Sequence, residues 1–223
     1  LVAADFDSDG DRDLVFASPP SGGFLCLNSG AAAYTCSAIA SVTTAHDVES
    51  ADFNADGKLD VAFAAWTAND PVCLGDGLGG FSCSVYDVGG DSSGIAVGDI
   101  DADGDVDIVE PRYNQTSRSC LNSGSGTFVC HDISIAATTK DVAIAELTGD
   151  AHLDLAVAVQ GVNQICAGDG AGNFSCSQID VASSWHSMGV GIIASPPPDA
   201  DGDGVTDASD NCPSVSNAGQ LDT

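Results

Sequence analysis

The feature that most limits what this chain can fold into is an internal repeat. The segments DFDSDGDRDLVFA, DFNADGKLDVAFA, DIDADGDVDIVEP and ELTGDAHLDLAVA begin at Asp5, Asp52, Asp99 and Glu146, each 47 residues after the last. Cysteines keep the same beat: Cys26 and Cys36, Cys73 and Cys83, Cys120 and Cys130, Cys166 and Cys176, every pair 10 apart. Each unit reads as four short strands. One apolar run, such as SGIAVGDI, precedes the acidic segment. A second follows it at once (LVFA, VAFAA, DIVE, LAVAV). Two more flank a glycine-rich turn, as in CLGDGLGGFSC. Gly, Asn and Asp supply the positive-φ positions that such hairpins need. No stretch carries a helical period. A four-strand unit of about 40–50 residues in tandem favours propeller blades. The fold class is therefore all-β, with four four-stranded blades at about 1–46, 47–93, 94–140 and 141–182.

The acidic segments are metal loops. In DFNADGKLD, oxygen ligands fall at positions 1, 3, 5 and 9: Asp52, Asn54, Asp56 and Asp60. Gly57 permits the reversal, and Lys58 at position 7 offers its backbone carbonyl, which leaves its side chain free to vary. Calcium takes about six to eight oxygens in irregular geometry, which magnesium tolerates poorly. The first nine positions mimic an EF-hand loop, but position 12 is Phe16, Phe63, Glu110 or Val157, in a strand, where an EF-hand has a bidentate Glu. A single DxDxDG can be a solvated turn; recurrence in register argues against that. The fourth copy is degraded to Glu146, Thr148, Asp150 and Asp154, with Ala151 in place of the glycine and His152 at position 7, so a weaker or water-completed site is expected. Calcium would relieve the repulsion among clustered carboxylates and fix the turn between the first two strands.

Composition supports these readings. There are 33 acids, only three of them Glu, against five Lys and Arg, for a formal charge of −28. Mere solubility, or a halophilic surface, would not avoid Glu or place Asp at fixed spacing. The charge argues against nucleic acid and anionic membranes as partners. No apolar run approaches the ~18 residues of a membrane span. Nine cysteines without a CxxC motif point to an oxidising, extracellular compartment. Partners 10 apart around a glycine turn fit opposed residues on antiparallel strands, within disulfide reach. Buried free thiols and zinc are the lesser alternatives. A start at Leu1 suggests a processed chain or part of a longer one.

DFNADGKLDVAFA followed by CLGDGLGGFSC resembles the FG-GAP or VCBS repeat, also found in integrin α-subunit propellers. The resemblance covers about residues 1–182. It implies calcium ligands at positions 1, 3, 5, 7 and 9: Asp5, Asp7, Asp9, Asp11 and Asp13; Asp52, Asn54, Asp56, Lys58 and Asp60; Asp99, Asp101, Asp103, Asp105 and Asp107. Family propellers commonly have seven longer blades, and the hairpin cysteines are not general to them.

The C-terminal stretch DADGDGVTDASDNCPSVSNAGQLD is similar to a thrombospondin type 3 repeat. That resemblance implies calcium at Asp199, Asp201, Asp203, Asp207 and Asp210, with the Val205 carbonyl. No apolar strand follows Asp207, so this is an irregular connector and not a fifth blade. Cys212 lacks a hairpin partner and is expected to pair with a neighbouring repeat or subunit. Between the two parts, residues 186–194 keep the register of a first strand without a metal loop. This surplus strand caps an edge or pairs with another subunit's open edge. The propeller domain is then 1–195, and 196–223 is a proline link plus the calcium connector.

No catalytic constellation is present: no GxSxG, Walker loop or HExxH, and no nucleophile motif near His46, His131, His152 or His186. The expectation is a non-enzymatic structural or adhesive module of a larger cell-surface or filament-forming protein. Its partners would be other copies or neighbouring repeats. The alternatives are a lectin-like propeller, with Trp66 and Trp185 as candidate sugar platforms, and a calcium-dependent protein-recognition domain. Asn114 and Asn173 open sequons and are candidate glycosylation sites.

Overall fold

The computed structural model describes residues 1–183 apart from residues 32 and 137. The expectations for residues 186–194, the proline link, Trp185, the C-terminal calcium connector and Cys212 lie outside the described residues.

The described chain is all-β, in four antiparallel sheets, each following the chain from one strand to its neighbour. The first holds β1 (Val2–Ala4), β2 (Asp13–Ser18), β3 (Gly22–Asn28) and β4 (Tyr34–Ala38). The second holds β5 (Ala45–Ala51), β6 (Asp60–Gly75) and β7 (Phe81–Asp91). The third holds β8 (Ala96–Gly98), β9 (Asp107–Glu110), β10 (Ser117–Asn122) and β11 (Phe128–Ile133). The fourth holds β12 (Thr139–Ala145), β13 (Asp154–Val159), β14 (Gly161–Gly168) and β15 (Phe174–Ser183).

The second sheet pairs as three strands where four were expected. Its β6 has 16 residues and would span ~50 Å if extended. Yet the Gly75 amide donates to Asp60 Oδ1 at 2.7 Å, so the two ends meet. The strand doubles back through register breaks between Trp66 and Pro71. The chain therefore makes four passes here too, and what differs is that no open loop separates the middle two.

Each hairpin carries its cysteines in register, Cys26 opposite Cys36 and so on through Cys166 opposite Cys176. All four pairs are disulfides, with Cα atoms 3.8–3.9 Å apart. Each closes a short loop and contributes a little under ~3 kcal/mol in the chain-entropy account.

The core lies between the sheets and not within any one of them. Alternate residues of a strand point to opposite faces. On β6, Val61 and Phe63 join Val15 of the first sheet, whereas Ala62 and Ala64 join Ile108 of the third. On β13, Leu155 and Val157 join Val109 of the third sheet. Counting from each loop's first acid, positions 10 and 12 thus face the preceding sheet, and positions 11 and 13 face the following one. One blade alone could not bury these residues.

Candidate metal centres

Each acidic loop runs from the first strand of its sheet to the second. The carboxylates of Asp5, Asp7 and Asp13 converge so that one oxygen of each lies within 4.8 Å of the others. Asp99, Asp101 and Asp107 do the same. In the second loop Asn54 takes the place of an acid, and the geometry is conserved. The Asp56 amide donates to Asp52 Oδ1 at 3.1 Å and to Asn54 Oδ1 at 3.0 Å. The matching amides of Asp9 and Asp103 donate to Asp5 and Asp7, and to Asp99 and Asp101. The amides of Gly10, Gly57 and Gly104 bond the other oxygen of the first acid, at φ of 94°, 82° and 97°. That backbone conformation is the reason for glycine at position 6. These all-oxygen clusters could hold a hard divalent ion.

The position 9 acids are fully buried. Each bolts its loop to the third strand of its blade. Asp13 accepts from Phe6 and Asn28, both at 2.8 Å. Asp60 accepts from Phe53 and Gly75, and Asp107 from Ile100 and Asn122. The position 5 acids face the loop as well: Asp9, Asp56 and Asp103 each accept the position 7 amide.

The position 7 side chains are less free than the sequence suggested. Asp11, Lys58, Asp105 and His152 rest against the hairpin glycines Gly30, Gly77, Gly124 and Gly170, at φ of 68° to 88°. A Cβ at Gly124 would sit 2.6 Å from Asp105, and one at Gly170 would sit 2.8 Å from His152.

The fourth loop is built differently. Its converging acids are Glu146, Asp150 and Asp154, so position 5 stands in for position 3. Asp154 Oδ2 accepts the amides of Leu147 and Thr148, at 2.7 and 2.8 Å, while Oδ1 accepts Gly168 at 2.9 Å. Burial raises the Asp154 pKa, but these donors outweigh it and hold the carboxyl below its usual range. In the third loop burial is the larger effect, assisted by Asp101 and Asp103 and opposed by the amides of Asn122 and Ile100. The Asp107 carboxyl is pushed up to about 6. Burial also raises Asp7, Asp60 and Asp101, with neighbouring acids adding to it.

A pH dependence follows. A raised folded pKa means that the metal-free folded chain holds a proton the unfolded chain has lost. The Asp107 contribution is therefore present below about pH 4 and is lost as pH rises through about 6. Metal-free chain should melt lower at pH 7.5 than at pH 5, and a bound cation should reverse that order. Calcium titrations at the two pH values, with proton release measured, check both signs.

A second charged cluster was not foreseen. Asp70, Asp87, Ser92, Glu110 and Arg112 are all buried between the second and third sheets. Arg112 Nη2 lies 2.5 Å from Asp87, 3.7 Å from Glu110 and 3.9 Å from Asp70. Arg118 bonds Asp87 from the solvent side at 2.6 Å. Ser92 Oγ is in hydrogen-bond contact with both Glu110 and Asp70. One hydroxyl has one proton, so one of the two carboxyls keeps its own. Burial raises both, Glu110 most strongly. This cluster has a cation at its centre and is no metal site. The signal that could have found it is Glu110, an acid at a position where the other repeats have Phe or Val.

Trp66 lies against His46 and Tyr113, with ring centroids 5.0 and 5.7 Å away, and the Lys140 Nζ sits 3.5 Å from the Tyr113 ring centre. Such neighbours favour edge packing over a sugar platform. The two sequons also differ. Asn114 is exposed in a turn at φ 58°. Asn173 Nδ2 donates to Asp169 at 2.9 Å. In a glycosylating host, peptide mapping should find glycan at Asn114 and none at Asn173.

Comparison with known proteins agrees with the sequence resemblances. Residues 5–63 match the family described as FG-GAP-like repeat, and residues 198–220 match the thrombospondin type 3 repeat. No curated protein matches the chain. Among solved structures, the chain is similar in fold to an Agrocybe aegerita lectin described as recognising non-reducing terminal N-acetylglucosamine. The TM-score is 0.54 at 20% identity, over 79% of this chain and 50% of that one. A Photorhabdus luminescens Tc holotoxin pore aligns at TM-score 0.44 and 18% identity, over 82% of this chain and 10% of that one. The chain thus spans half the length of the lectin chain it matches.

Proposed function

We propose that the chain is a non-enzymatic, extracellular, calcium-binding structural or adhesive module, assembling with other copies or with neighbouring repeats. The observation that carries this reading is the threefold identity of the loops. The same amides bond the same acids at Asp5–Asp13, Asp52–Asp60 and Asp99–Asp107. Calcium held there ties the turn between two strands to the third, one staple per blade. The four disulfides and both repeat types fit an extracellular domain. The C-terminal repeat acts as a calcium-stiffened connector, with Asp199, Asp201, Asp203, Val205, Asp207 and Asp210 as its ligands and Cys212 bridging to a neighbour.

Imaging native material with and without calcium and reductant tests this. Chains or filaments that come apart on chelation or reduction support it; discrete monomers under all conditions sink it. A lectin-like role is the second reading, drawn from the fold shared with the fungal lectin. Binding on a glycan array would favour it.

A further inference from the structure

Three junctions join successive blades, and all three use one set of contacts. A hairpin glycine amide donates to the carbonyl of loop position 2 in the preceding blade: Gly79 to Phe6, Gly126 to Phe53 and Gly172 to Ile100, at 3.2, 2.8 and 3.3 Å. A hairpin aromatic covers that same residue, with Phe81 on Phe6 and Phe128 on Phe53 at 5.9 and 5.6 Å. The hairpin glycine also lies on a β-strand leucine: a Cβ at Gly79, Gly126 or Gly172 would come within 2.9 Å of Leu27, Leu74 or Leu121.

The first and fourth blades each carry a half of this contact that has no match among the described residues. Position 2 of the fourth loop is Leu147, 44% exposed, whereas Phe6, Phe53 and Ile100 are 1–3% exposed. The hairpin aromatic of the first blade is Tyr34, 43% exposed. The faces differ in bulk in a matching way. The first sheet's preceding-side face offers Phe16 and Phe24 along a shallow groove. On the fourth sheet's following-side face, positions 11 and 13 are small, the half-buried Ala156 and the buried Ala158. The pair Ala17 and Phe63 at the first junction sets a small residue against a large one in the same sense. Most telling is the hairpin itself. Ala32 stands in sequence where Gly79, Gly126 and Gly172 stand, and at those three glycines a Cβ would meet a leucine at 2.8–2.9 Å. The fourth blade has Ala167 where the others have that leucine. Each change makes room for the other.

We infer that the following-side face of the fourth blade and the preceding-side face of the first are two halves of one more junction, closed head to tail between copies of this chain. The core clusters link the first sheet to the second, the second to the third and the third to the fourth, but none among the described residues links the fourth to the first. Residues 184–223 hold no further CxxxGxGxF hairpin. A heterologous contact of this kind propagates into rings or open filaments.

The inference deepens the assembling role proposed above and is tested on the full chain in saturating calcium, with Cys212→Ser throughout. Tyr34→Cys and Leu147→Cys are made singly and together and treated with a short thiol-to-thiol crosslinker. Mixing the two single variants should give crosslinked dimers that neither gives alone, and the double variant should give a ladder of multimers. A double variant crosslinked only within monomers overturns the inference in favour of closure inside one chain. No crosslink in either experiment overturns it outright. Leu147→Asp should sediment as monomer where the unaltered chain associates; undiminished association would also overturn it. The calcium-dependent melting shift of the same variants reports on fold and on the metal role separately.

Discussion

Chelation of divalent ions should lower the melting temperature of this chain by about 15 °C or more. An ion present at 100 times its Kd adds about 2.7 kcal/mol of stability per site, and each kcal/mol moves the melting point of a domain this size by about 2–4 °C. Three equivalent loops act together here. Without a cation, the first and third each hold three carboxylate oxygens within 4.8 Å of one another. The consequences spread beyond the loop. Phe6, Phe53 and Ile100 are bonded through their amides to the position 9 acid and through their carbonyls to the next blade. Loosening a loop therefore loosens a junction. The fourth loop should respond least, because protein amides already satisfy Asp154. Calorimetry in calcium and in chelator measures the shift, and an unchanged melting temperature would count against the staple role.

The second large effect is expected at Arg112. Replacing it with Met or Leu leaves Asp70, Asp87 and Glu110 buried, with the part-exposed Arg118 still paired with Asp87. Breaking a buried ion cluster by removing one partner costs about 3–5 kcal/mol, or roughly 6–20 °C here. Glu110→Gln should be far milder, since burial pushes that carboxyl well above its usual range and Gln keeps a neutral polar group of the same shape. Equal losses for the two variants would contradict this difference. Because both Asp70 and Glu110 have raised pKa values, their contribution is present at low pH and fades as pH climbs beyond the usual carboxylate range. That trend should persist in saturating calcium, which separates it from the loop acids.

How much of this was legible in the sequence depends on how local the cause is. The loops, the hairpins and the cysteine pairs could be read because ligand spacing, turn glycines and a ten-residue offset act within one blade. The register of Cys73 opposite Cys83 follows directly from that offset. The Arg112 cluster leaves only Glu110 as a local sign, because its partners Asp70 and Asp87 come from another blade and meet it only when the blades pack. The junction contacts were hidden for a second reason: they run largely through backbone amides and carbonyls, which leave no mark on residue type. Their traces in residue type are the glycines at 79, 126 and 172 and the aromatics Phe81 and Phe128, legible only once Leu27, Leu74 and Leu121, and Phe6 and Phe53, are seen against them. The reversal between VAFAA and Cys73 was expected from the four-strand repeat; what the sequence did not show is that β6 runs through it without an open loop.

If the loops hold calcium, each intact blade loop binds one ion. Native mass spectrometry of the calcium-loaded chain tests it directly when the first acid of each loop is changed in turn: Asp5→Asn, Asp52→Asn and Asp99→Asn. Whatever number the C-terminal repeat adds stays constant across the set. Each change should remove one bound calcium and the triple variant should lose three; a calcium count unaltered by these substitutions would rule out the loops as calcium sites.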